Sequence, residues 1–167
     1  MAEKEALRGV TGIIRPFKEY MTSLGLAKGD QVVYYGCVGT CTPFVELLAV
    51  GIRGLHLSQV FVPLLDEGKA RMITDVPDIG MQAAGPRAEV SEVSPKVIVI
   101  MGGLAMPMMP TTKELVRDLA ERHPEAKVVG VCFQDMFARA GWIGVVPFDF
   151  TVSAMIEPIT VTRYDKA

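Results

Sequence analysis

Apolar residues recur along this chain with two different periods, and the changes of period mark its elements. Phe17, Tyr20, Met21 and Leu24 fall at i, i+3, i+4 and i+7, which predicts one buried face of a helix. Pro16 suits the first turn of that helix, and Gly25 suits a left-handed cap at its end. Residues 31–35 then read as a buried strand ending at Gly36. Past Thr42, with Pro43 opening it, a segment from Phe44 to about Arg53 is apolar nearly all round and predicts a deeply buried helix.

Residues 58–65 and 69–74 read as a hairpin turning at Asp66-Glu67-Gly68, with Pro63 marking its first strand as bulged or as an edge. Pro77, Gly80, Gly85, Pro86 and Pro95 punctuate residues 75–95, which read as loop. The run Val97-Ile98-Val99-Ile100-Met101 has no alternation, as expected of a parallel strand covered on both faces. Thr111 and Glu114 fit a capping box, followed by an amphipathic helix with Leu115, Val116, Leu119 and Ala120 inward and Pro124 as its stop. Residues 127–133 form a further strand, and Asp135 suits the N-cap of a short helix through Arg139. Residues 150–156 and 159–164 predict a closing antiparallel pair around Glu157-Pro158.

Strand–helix–strand alternation with buried Val/Ile runs predicts an α/β protein with three layers. The sheet is expected to be mostly parallel and Rossmann-like, with an antiparallel hairpin and antiparallel C-terminal strands, in a single α/β domain over residues 1–167. Composition agrees. Half of the 167 residues are hydrophobic and 22% are charged, enough to build a core and to exclude global disorder. A formal net charge of −2 without a basic block argues against nucleic-acid binding. The uncharged stretch 97–112 is interrupted by Gly102, Gly103, Pro107 and Pro110, so no membrane span is expected. Residues 1–8 lack the apolar region of a secretory signal. Cys37, Cys41 and Cys132 are odd in number and sit among apolar residues, which suits a reducing, cytoplasmic setting over a disulfide framework.

In an open α/β sheet, ligands bind beyond the carboxyl ends of the strands. Three turns qualify here: 36–42, 102–111 and 133–135. In the first, Gly36 and Gly39 allow close backbone approach, Thr40 and Thr42 supply hydroxyls, and the helix start favours an anion. The spacing matches neither common phosphate-loop pattern and the loop holds no lysine, so an ordinary turn with Thr42 as N-cap explains it too. Cys41 at that helix start is a candidate nucleophile with a lowered pKa, and Cys37 its resolving partner, against the plainer reading of small buried thiols.

Gly102 and Gly103 open the second turn, whose Met106, Met108 and Met109, with Met101, read as adaptable packing or a contact surface before a soft-metal site. At the third turn, Gln134 and Asp135 are polar groups able to reach the crevice, with Asp135 either acid/base, ribose contact or N-cap. Asp75, Asp78 and Glu67 read as solvated carboxylates, not a metal pair, and no metal ligand set is expected. Neither His56 nor His123 has a spacing that pairs it with a cysteine, and Trp142 reads as packing.

The segments Gly36-Cys37-Val38-Gly39-Thr40-Cys41-Thr42-Pro43-Phe44, Met101-Gly102-Gly103-Leu104-Ala105-Met106-Pro107 and Asp135-Met136-Phe137 before Gly141-Trp142 resemble a family of small uncharacterised archaeal proteins, chiefly from methanogens. The resemblance implies an archaeal cytoplasmic protein with a single α/β domain. It brings no activity, cofactor or catalytic residue. Three functions follow from the residues: binding of a small anionic, nucleotide- or phosphate-bearing ligand; thiol or redox chemistry at Cys41; or a non-catalytic homodimer through the Met-rich loop or the C-terminal strands. The residues name no cofactor and leave open whether the protein is an enzyme.

Overall fold

The computed structural model describes residues 4–164. In chain order its elements are α1 (Thr11–Ser23), β1 (Gln31–Gly36), α2 (Thr42–Ile52), β2 (Ser58–Pro63), β3 (Arg71–Met72), β4 (Thr74–Val76), β5 (Gly80–Gln82), β6 (Val97–Met101), α3 (Lys113–Arg122), β7 (Lys127–Phe133), α4 (Met136–Arg139) and β8 (Phe150–Ala154). Six strands form one sheet in the order β3-β2-β1-β6-β7-β8, and β4 and β5 form a separate antiparallel pair. Within the large sheet only the β2–β3 pairing is antiparallel.

Alternating side chains of each strand enter opposite layers, as the period of 2 requires. Val32, Tyr34, Val97 and Val99 pack with Phe17 and Met21 of α1 and with Val45 and Leu48 of α2. Val33, Tyr35, Ile98 and Ile100 pack on the other face with Val116 and Leu119 of α3 and Phe137 of α4. Hence every residue of β6 is buried, and the three-layer α/β expectation holds. The two buried tyrosines satisfy their polar tips. Tyr34 Oη donates to Gln59 Oε1 at 2.7 Å, and Gln59 Nε2 donates to the Ala49 carbonyl at 3.2 Å, so the core keeps no orphaned hydroxyl there. Among the described residues, no helix is long and apolar enough to cross a membrane.

Several boundaries differ from expectation for identifiable reasons. Helix α1 begins at Thr11, which places Pro16 in its interior instead of its first turn. An interior proline costs about 3 kcal/mol. Burial of Phe17 and Met21, at about 1.5–3 kcal/mol each, offsets it. Gly25 does follow the helix with a left-handed φ of +63°. Thr112, not Thr111, caps α3: its Oγ1 accepts from the Leu115 N–H at 3.3 Å, so the expected capping box is absent and Thr111 is buried. The 58–74 hairpin is present, but β3 is two residues long, and Pro63 lies beyond it where β2 has become an edge. Residues 75–95, read as loop, contain the end of β4 and all of β5. That pair is held on α2 by buried Met81 and by the Ala83 N–H donating to Glu46 Oε1 at 2.9 Å.

The expected antiparallel C-terminal pair does not form. β8 runs parallel to β7, with Phe133 opposite Ala154, and residues 155–164 adopt no strand. The chain returns to the start of β7 before β8 begins. There Asp149 accepts from the Val128 N–H at 2.8 Å and from Lys127 Nζ at 3.1 Å, and the Phe150 ring stacks on Tyr20 with centroids 4.4 Å apart. A strand entered from that end can only run parallel to β7.

Candidate functional site

Because β1, β2, β6, β7 and β8 are parallel, the three turns singled out in the sequence open on one edge of the sheet. The strand order reverses between β1 and β6. From β1 the chain crosses through α2 on one face to β2. From β6 it crosses through α3 on the other face to β7. The crevice between two such departures is where ligands sit in open α/β sheets. The first and second turns, 36–42 and 102–111, flank this boundary.

Two sulfurs lie at this boundary. Cys37 directly follows β1 and Cys41 is the N-cap residue of α2. Both are buried, at 1% and 3% exposure, and their Sγ atoms lie 2.9 Å apart. The glycines expected to admit a ligand instead admit these side chains. A Cβ on Gly36 would meet the Cys41 Cβ at 2.8 Å, a Cβ on Gly103 would overlap both Cys37 and Cys41 sulfurs, and one on Gly102 would overlap Cys132. Only Gly39 of the four faces open space, in the left-handed conformation at φ +84°.

Thr42 is not the N-cap. It is the first residue of α2, with Pro43 following, and Cys41 in the capping position makes no side-chain cap. The expectation of a lowered Cys41 pKa is also overturned. Burial pushes the thiol well above its ordinary value, and the hydrogen bond to Cys37 adds to the rise. The nearby backbone amides of Cys37 and Gly103 favour the thiolate, but desolvation outweighs them. The helix start therefore does not make Cys41 an activated nucleophile.

The side chains packed around the two cysteines at this edge are apolar. Phe44 from α2 and Phe133 from β7 meet with ring centroids 4.2 Å apart, and Met106 and Met109 pack against the cluster that contains the two cysteines. Within the Met-rich turn, Met101 is buried and Met108 is 92% exposed. Among the described residues there is no group of three or more His, Cys, Asp or Glu side chains arranged to hold a metal.

Gln134 and Asp135 both occupy the left-handed region, at φ +55° and +52°. Asp135 precedes α4 but does not cap it with its side chain, as the sequence suggested. Its Oδ1 accepts from Ser153 Oγ at 2.6 Å. That bond turns the carboxylate toward β8, away from the β1–β6 boundary, so Asp135 is not brought to the thiols.

Glu67, read as a solvated carboxylate, is partly buried and accepts from Tyr35 Oη at 2.9 Å. Burial, with that carboxylate second, raises the Tyr35 pKa. Trp142 is core packing against Phe137, with ring centroids 5.7 Å apart. One further feature has no counterpart among the sequence motifs. Where the β4–β5 turn approaches the end of α2, Arg53 and Asp75 line two adjoining clefts of about 480 and 570 Å³, one bordered by Asp78 and the other by His56 and Gln59. They arise from the hairpin lying on α2, an arrangement with no local signature.

Comparison with known proteins agrees with the resemblance noted from the sequence. Residues 8–157 match the model of DUF2124, described as an uncharacterized protein conserved in archaea. An uncharacterized protein of Methanothermobacter thermautotrophicus is 32% identical over 162 residues, covering 94% of this chain and 96% of that one. An uncharacterized protein of Methanocaldococcus jannaschii is 33% identical over 153 residues, covering 90% of each. The crystal structure of a protein of unknown function from Methanothermobacter thermautotrophicus superposes with a TM-score of 0.80 at 29% identity, covering 98% of this chain and 99% of that one. Fold and sequence thus agree over nearly the whole length, and the chain belongs to the DUF2124 family of uncharacterized archaeal proteins.

Proposed function

We propose that this protein is a dithiol–disulfide protein whose exchangeable pair is Cys37 and Cys41. The observation that carries this reading is the 2.9 Å separation of the two sulfurs, within one ångström of the ~2.05 Å of a disulfide bond. Their position supports it as well. The pair lies at the strand-order reversal, under an exposed arc of Val38, Gly39 and Thr40. Closing so short a loop stabilises the oxidised chain by about 2 kcal/mol through chain entropy. The raised Cys41 pKa makes exchange slow at neutral pH, which suits a store or sensor of oxidising equivalents better than a fast thiol nucleophile.

The test is equilibration against reduced and oxidised dithiothreitol in varying ratio, followed by alkylation of the remaining thiols. The expected result is one reversible two-electron transition in the wild type that is lost in Cys37→Ser and in Cys41→Ser. Three thiols that stay reduced at every ratio contradict the reading.

One observation favours a second reading, the anionic ligand. The start of α2 carries no side-chain cap, and the exposed loop before it includes Gly39 and Thr40. Pro43 weakens it by removing one N–H donor from the first turn. A phosphate or nucleotide bound there at 100 times its Kd adds about 2.7 kcal/mol of stability. A thermal-shift panel of inorganic phosphate and nucleotides with no response removes this reading.

A further inference from the structure

The two edges of the large sheet are finished differently. At one end β3 is two residues long, and its outer side is already covered by the chain. The Met72 N–H donates to the Pro86 carbonyl at 2.9 Å, and the Ala88 N–H donates to the Ala70 carbonyl at 3.1 Å. At the other end β8 runs over five residues that include neither a charge nor a proline. Its inner side pairs with β7, and its outer side pairs with no strand among the described residues. An uncharged edge of this kind is a template for a further strand.

The segment after β8 lacks the other half of such a pairing. Every residue from Met155 to Tyr164 is exposed, with Ile159 and Val161 at 74% each, and no backbone–backbone hydrogen bond includes any of them. Ile159-Thr160-Val161-Thr162 alternates apolar and hydroxyl side chains, all β-branched, which is the composition of a half-buried strand. β8 carries the same alternation. Phe150 and Val152 pack in the apolar layer of α1 and α2, while Thr151 and Ser153 are exposed.

We propose that a second copy of this chain supplies the missing partner. Residues 159–163 of each copy add as a strand to the outer edge of β8 in the other, closing an isologous dimer. Ile159 and Val161 then extend the apolar layer of Phe150 and Val152, and Thr160 and Thr162 stand beside Thr151 and Ser153. The occupant is a second copy because the open edge and the unpaired strand belong to one sequence and share one alternation. The area suffices. A ten-residue extended segment presents roughly 1,600 Å². Covering half of it matches the ~800 Å² that each partner contributes to a standard interface. The contact is independent of the thiol pair, which lies at the β1–β6 boundary.

The test is sedimentation equilibrium of the full chain between about 1 and 100 μM, a range that brackets a micromolar Kd, with hydrogen–deuterium exchange of the same samples. The mass is expected to approach twice 18.1 kDa as concentration rises. Amides of residues 159–163 and those on the free side of β8 are expected to gain protection in step with it. Val161→Pro, which takes a backbone donor from the added strand, is expected to weaken association about tenfold or more, while Val161→Ile retains it. Since Val161 is exposed in the single chain, the proline variant is expected to keep the urea midpoint of the dilute protein. A monomer at every concentration overturns the proposal, as does a dimer that Val161→Pro leaves intact. Protection of residues 159–163 that does not change with concentration places the segment on its own β8, and also overturns it.

Discussion

Replacing Gly103 by alanine lowers stability by about 1–3 kcal/mol, and removing the sulfur at position 37 returns part of the loss. The added Cβ has no free volume, because it would enter the space of two buried sulfurs held between β1, α2 and the turn after β6. Gly103 has no left-handed φ, so the cost is one of packing and not of backbone strain. Cys37→Ala opens space beside the new methyl. The double variant Gly103→Ala/Cys37→Ala is therefore less destabilised than the sum of its parts, with a coupling of about 0.5–3 kcal/mol. Urea unfolding of the four proteins measures it. Strict additivity would mean that the Gly103 backbone does not rest on the sulfur pair.

The second large effect is alkaline. Burial raises Tyr34 and Tyr35 above their ordinary pKa of 10.0, and raises Cys41 above 9.0. In each case the folded chain holds its proton at a pH where the unfolded chain has released it. Stability is therefore fully present below the unfolded values and is lost as pH rises above them. Cys41 begins the decline above pH 9, and the two tyrosines steepen it above pH 10. Together the tyrosines contribute a fall of about 2.7 kcal/mol per pH unit. Against a total stability of about 5–15 kcal/mol, unfolding is complete within a few pH units. Urea midpoints from pH 8 to 12 should fall along this curve, and tyrosinate absorbance of two of the four tyrosines should appear only with unfolding. Tyr35→Phe halves the tyrosine part of the slope. A flat stability profile to pH 12 contradicts the burial of these groups.

Local patterns carried most of the architecture. An uninterrupted Val97–Met101 run needs apolar layers on both sides, and the two clusters around the sheet supply them. The misreadings arose where tertiary contacts outweigh local preference. Pro16 sits inside α1 because Phe17 and Met21 are anchored on the sheet. Residues 159–164 have the composition of a strand, yet the edge they would need is oriented by Asp149 and Phe150 far upstream. Position fared better than chemistry at the site. The glycine-rich turns do converge at one edge, but Gly36, Gly102 and Gly103 are small because cysteines press on them. Cys37 directly follows β1 and Cys41 directly precedes α2, and the turn between them brings the sulfurs together. Desolvation, which depends on the packed crevice, decided the sign of the Cys41 pKa.

The central claim is that Cys37 and Cys41 form one exchangeable pair and that Cys132 takes no part. Its most direct test is a peptide map of the wild type, oxidised with bis-hydroxyethyl disulfide to equilibrium and with free thiols blocked before digestion. The account predicts the loss of two hydrogens, a Cys37–Cys41 cross-link that dithiothreitol reverses, and Cys132 recovered as a blocked free thiol. Full blocking of all three thiols after oxidation, or a cross-link that includes Cys132, would contradict it.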